Sequence, residues 1–101
     1  MKAARYSEAE VRSLIDGYAE YKAKKSTHGV GLVFLVRLAD LDGAIALLPP
    51  KEYQAILLHG MLGHTIRDAE ELLGVSRSTL HDRYESGISW IVRILNEGVV
   101  A

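Results

Sequence analysis

The stretch Ser76-Arg77-Ser78-Thr79, with His81, Asp82 and Arg83 just after it, concentrates polar side chains of long and short reach within two helical turns. On a helix, positions 77, 78, 81 and 82 share one side, while Leu80, Tyr84 and Ile88 share the other. The chemistry open to such a side is recognition of nucleic acid. Arg77 can bind a guanine edge bidentately, and Ser78 and His81 can reach base edges or phosphate. Ser76 and Thr79 can donate to the phosphate backbone, and Asp82 can accept from a cytosine amino group. Thr65 and Arg83 complete the candidate DNA-contacting set.

These residues need elements that hold them outward. Thr65-x-x-Asp68 predicts a helix start at Ile66, because the threonine hydroxyl can accept from a free backbone N–H of the first turn. Gly74 predicts its end, since glycine takes the left-handed conformation that reverses the chain after a helix. Val75 then plugs the gap, and Ser76 caps a second helix. Two short helices around a tight turn, apolar on the shared side, form a helix-turn-helix. Such units usually carry a small residue four positions before the turn glycine; here that position is Glu70, and the alanine is Ala69.

Several other chemistries are disfavoured. The histidines His28, His59, His64 and His81 lack metal-ligand spacing, and no cysteine completes a site. Neither Ser76 nor Ser78 lies in a nucleophile elbow, and capping accounts for Ser76. Gly29-Val30-Gly31 lacks the third glycine and the strand context of a nucleotide loop. No enzyme, cofactor or metal is expected. The absence of cysteine also excludes a disulfide framework and fits a reducing compartment. The longest apolar run, Val30 to Val36, is too short to span a bilayer, and the N-terminus has no secretory pattern, so a cytoplasmic protein without membrane contact is expected.

Upstream, Ser7-x-x-Glu10 is a capping box opening a helix with Val11, Leu14, Ile15, Tyr18 and Tyr21 on one stripe. Lys22, Lys24 and Lys25 close it before Gly29. They suit the carbonyl pole of a helix, or a DNA phosphate. Leu32 to Leu48 is expected to be a helix, buried on most sides at its start and weakened at Gly43. Pro50 opens a further helix running to Gly63. Trp90, Ile91, Ile94 and Leu95 prolong the last helix and are expected to pack on the first. A lone tryptophan on an apolar face is commonly core; a dimer seam with Tyr18 and Tyr21 is the other use of that surface. The expectation is an all-α fold of about five helices in a compact bundle. Residues 1–47 would brace it and pair subunits, and residues 48–101 would form the DNA-binding unit.

The chain also resembles a family. Leu48-Pro49, Ile56-Leu57, Gly63-x-Thr65 and above all Glu71-Leu72-Leu73-Gly74-Val75-Ser76-Arg77-Ser78-Thr79-Leu80 are similar to region four of bacterial sigma factors, from Leu48 to roughly Leu95. That resemblance implies a helix-turn-helix that reads promoter DNA. The N-terminal half does not resemble sigma region two. Small phage transcription regulators of the late-gene activator type share both the sigma-four-like C-terminus and a motif like Tyr18-Ala19-Glu20-Tyr21-Lys22. The resemblance therefore implies a phage-type transcriptional regulator binding duplex DNA, and the surplus of apolar residues in so short a chain adds the expectation of a homodimer.

Charge argues for a rival. The net charge is −1, and residues 48–101 hold five Lys/Arg against seven Asp/Glu. A groove reader of that balance must gather its positive charge on one face or bind as a dimer. A helix-turn-helix scaffold that instead binds RNA polymerase, a sigma factor or another regulatory protein is the alternative reading.

Overall fold

The computed structural model describes residues 6–24 and 31–97, without the side chains of Ala19 and residues 21–24. Five α-helices follow in order: α1 (Glu8–Lys24), α2 (Leu32–Ile45), α3 (Pro50–Ala55), α4 (Ile66–Leu73) and α5 (Arg77–Glu97). Among the described residues there is no strand, and the fold is all-α. Gly29 and Lys25 lie outside the described residues.

Local signals start most of these helices. The Ser7 and Glu10 side chains each accept from the other's backbone N–H at 3.1 Å, closing the capping box at α1. Pro50 occupies the first turn of α3, where its missing N–H removes no helical bond. Beyond Ala55 the expected helix to Gly63 changes character: Ile56–Met61 is π-helical. The Leu62 N–H reaches back to the Leu57 carbonyl at 2.8 Å, and the His64 N–H to the Leu58 carbonyl at 3.0 Å. The wider turn directs Ile56 and Met61 into one core while Ala55 and Leu58 face another.

Those two cores organise the molecule. The larger one collects Val11 and Ile15 of α1, Leu38, Leu41 and Ile45 of α2, Ile56 and Met61 of the π segment, and Ile88, Ile91 and Ile94 of α5. The smaller joins Ala55, Ala69 and Leu80, with Ile66, Leu73 and Val75 packed around them. Tyr84 touches both. Helix α5 is therefore one rigid rod whose N-terminal turns belong to the small core and whose C-terminal turns are set in the large one.

Two expectations are corrected. The start of α2 is not buried: Leu32, Val33 and Val36 are exposed, and burial begins at Leu38. In that half Phe34 packs on the large core while Leu32, Val33 and Val36 face outward, a sidedness that hydrophobicity along the chain does not reveal. Trp90 is likewise not core. It is 37% exposed, with the Arg93 guanidinium 5.3 Å from its ring centre, while Ile91 and Ile94 face inward. The isoleucines hold the buried arc of α5, and the helical repeat turns Trp90 outside it.

Polar ties lock the N-terminal segment onto α5. The Tyr6 N–H donates to Asn96 Oδ1 and Asn96 Nδ2 donates to the Tyr6 carbonyl, both at 2.8 Å. The Tyr6 hydroxyl donates to Asp40 at 2.8 Å, bringing α2 into the same junction.

Candidate nucleic-acid interface

The helical hairpin α4–α5 is built from its caps. Thr65 Oγ1 accepts from the Asp68 N–H at 3.1 Å, and α4 begins at Ile66. Its end is set by Gly74 at φ 65°, ψ 37°, a left-handed conformation that carries little penalty only without a Cβ. The Gly74 N–H donates to the Glu70 carbonyl at 2.8 Å. Ser76 Oγ then accepts from the Thr79 N–H at 3.2 Å and donates to Thr79 Oγ1 at 3.0 Å, starting α5. Those two hydroxyls are therefore partly committed to the cap.

Behind the turn, Ala69 is fully buried against Ala55 and Leu80, so Ala69 makes the close contact between the two helices. Glu70 emerges at the edge of that contact, with its Oε2 3.6 Å from Arg77 Nε. In front, Ser76, Arg77, Ser78, His81 and Asp82 are all exposed. Thr79 and Arg83 are half-buried, and Thr65 is exposed at the start of α4. The structure thus places Thr65, Ser76, Arg77, Ser78, Thr79, His81, Asp82 and Arg83 on one hairpin. The expected phosphate contacts fall outside this description: Lys22 and Lys24 are in α1 with side chains outside the described ones, and Lys25 lies beyond the described residues.

Two features carry no local sequence signal. Arg12 of α1 forms a fork with Glu85 of α5, Nη1 donating to Oε2 at 3.0 Å and Nη2 to Oε1. These bonds hold the Glu85 carboxyl below the usual carboxylate range despite partial burial, and the Arg12 and His81 charges add to the effect. Arg12 is raised in turn, first by the Glu85 hydrogen bonds. The second feature lies behind the hairpin. His59 Nδ1 donates to the His64 carbonyl at 2.9 Å, and its ring meets Tyr84 edge-on with centroids 5.2 Å apart. Burial pushes the Tyr84 hydroxyl above its ordinary value. His59 is thus engaged in structure, and among the described residues no His, Asp and Glu side chains converge on a metal site.

The Arg12–Glu85 tie gives a pH dependence. A carboxyl whose folded value is lowered stabilises the fold above the unfolded value and loses that contribution as pH falls through the folded value. We expect Glu85→Gln to destabilise the fold slightly near neutrality, by about 1 kcal/mol or less for a pair this exposed. The gap from wild type should close in acid, below about pH 4. Melting curves across a pH series check this; a gap that persists unchanged to pH 2 would contradict it.

Two helices, a glycine-centred turn, an alanine contact and an exposed polar start to the second helix define a helix-turn-helix. Residues 38–85, just under half of the chain, match the family model described as sigma-70, region 4, a transcription-related DNA-binding helix-turn-helix. The match opens inside α2, earlier than Leu48, and stops at 85, before the last turns of α5. No curated protein and no solved structure matches the chain. Among the described residues no helix is long and apolar enough to cross a membrane.

Proposed function

We propose that this protein is a sequence-specific, DNA-binding transcriptional regulator of the small phage type, acting in the cytoplasm. The first turns of α5 enter the major groove. Arg77 reads a guanine, Ser78 and His81 contact neighbouring base edges or phosphates, and Thr65 and Arg83 flank them on the backbone. Residues 48–101 supply the reading unit and residues 1–47 brace it. The observation that carries this reading is the exposed polar start of α5: Ser76, Arg77, Ser78, His81 and Asp82 all stand in solvent, while Leu80 among them is buried and anchors the helix. Arg77 is held back only by a solvent-exposed contact to Glu70, its own side chain being 72% accessible. Such a pair is weak and yields readily to a guanine edge.

Arg77→Ala is expected to weaken binding to a selected duplex by about 1–3 kcal/mol, roughly tenfold to a hundredfold, with specificity relaxed at one base pair. Selection from random duplexes followed by gel-shift titration measures it. Unchanged affinity would remove Arg77 from the groove. The rival reading, a docking module for RNA polymerase, a sigma factor or another regulator, is favoured by the acidic balance of residues 48–101 and by exposed Leu72 on α4. A salt series separates the two, because a groove reader loses affinity steeply as salt rises. A protein-docking module has no such slope to show.

A further inference from the structure

Glu70 stands where helix-turn-helix units usually carry a small residue, and the close contact between α4 and α5 does not require a carboxylate there, because Ala69 makes that contact. The turn pins the Glu70 backbone: its carbonyl accepts from the Gly74 N–H at 2.8 Å and from the Val75 N–H at 3.2 Å. The Glu70 side chain is 26% accessible, against 72% for Arg77, and its Oε2 lies 3.6 Å from Arg77 Nε. Glu70 is thus the sheltered member of the pair and Arg77 the exposed one. Glu85 lines the same crevice as Arg77, but Arg12 already engages it, so Glu70 is the carboxylate left to act on Arg77.

We propose that Glu70 is a positioning residue that sets how selectively Arg77 reads DNA, an inference that rests on the groove reading given above. Weak as the pair is, it need not part when DNA binds. Contact through Nε leaves the paired Nη groups at the end of the guanidinium fork, and those suffice for the two acceptors of a guanine edge. The carboxylate also acts through its charge. A DNA phosphate attracts Arg77 by net charge, which Glu70 largely cancels at close range. The neutral O6 and N7 of guanine are bound by directional N–H donors, which the pair leaves in place. An unrestrained arginine reaches the nearest phosphate as readily as a base, and a phosphate contact adds affinity without sequence information. Glu70 therefore lowers affinity for DNA at large and raises discrimination between sites. A small residue at this position could do neither.

A duplex selected from a random pool and a scrambled duplex of the same length test this by gel-shift titration. Glu70→Gln should tighten binding to the scrambled duplex by about threefold or more and steepen its salt dependence, while the ratio of the two dissociation constants falls about tenfold. Glu70→Ala, which installs the usual small residue, should do the same. With Arg77→Ala in place, neither change at Glu70 should alter the ratio further, because Glu70 acts through Arg77. Replacing the selected guanines one at a time by 7-deazaguanine, which lacks the N7 acceptor, should single out one position in the wild type and do so less sharply in Glu70→Gln. A ratio unchanged by Glu70→Gln, or changed equally with and without Arg77, would overturn the proposal and leave the groove reading standing. So would a lower melting temperature with parallel weakening on both duplexes, the mark of a carboxylate that serves only the fold. If Arg77→Ala itself leaves the ratio untouched, the groove reading falls and this proposal with it.

Discussion

Replacing Leu80 by alanine is expected to abolish DNA binding although it removes no polar group from the reading surface. Leu80 is 1% exposed and is the one large aliphatic side chain among the fully buried members of the small core, whose other two are Ala55 and Ala69. Truncating a buried leucine destabilises by about 2–5 kcal/mol, through lost burial and the cavity left behind. That joint cannot refill the space with alanines. The large core, by contrast, loses nothing. The damage should therefore appear as local opening of α4 and the first turns of α5, with the rest of the bundle standing. Hydrogen exchange would read faster amide exchange across 66–80 than at Ile88, Ile91 and Ile94. Uniform acceleration along the whole of α5 would show that the two cores unfold as one.

Gly87→Val is expected to destabilise the whole fold by about 3 kcal/mol, near the upper end of ordinary overpacking. A Cβ at Gly87 would lie 2.6 Å from Ile56 Cγ1 and 2.9 Å from its Cδ1, with the Glu52 carbonyl oxygen at 3.5 Å. Ile56 is fully buried and has nowhere to swing. The glycine thus lets α5 pass close against α3 and the π segment. The adjacent Ser86 hydroxyl donates to Glu52 at 3.2 Å, holding the two elements at that distance. Gly87→Ala gains about 1 kcal/mol of helix propensity and so should destabilise less than valine. Combining it with Ile56→Ala should recover part of the loss, since each change makes room for the other. Urea titration of the four variants decides it; strict additivity would mean that the clash is not what the glycine avoids.

Reading the chain locally recovers the starts and stops of its helices. The Ser7–Glu10 box, the Thr65 cap, the Gly74 reversal and the Ser76 cap each form between residues within four positions of one another, so residue type and spacing suffice. The 3.6-residue period accounts for the burial of Leu80, Ile88 and Ile91 along α5, while Arg77 and Ser78 are exposed because they stand in the first turn after the Ser76 cap. Other features depend on neighbours distant in sequence. These include the exposed start of α2, Trp90 outside the core, the π turn after Ala55 and the Arg12–Glu85 fork. The Glu70 departure from the usual small residue was visible, but its contact to Arg77 across the turn was not. Residue order alone determined where α1, α4 and α5 begin, where α4 ends and that the first turns of the reading helix are polar, because those bonds close within a single turn. Only tertiary packing decided which apolar stripe of α2 was buried and where the rod of α5 was anchored, because two equally greasy faces differ only in what happens to stand beside them.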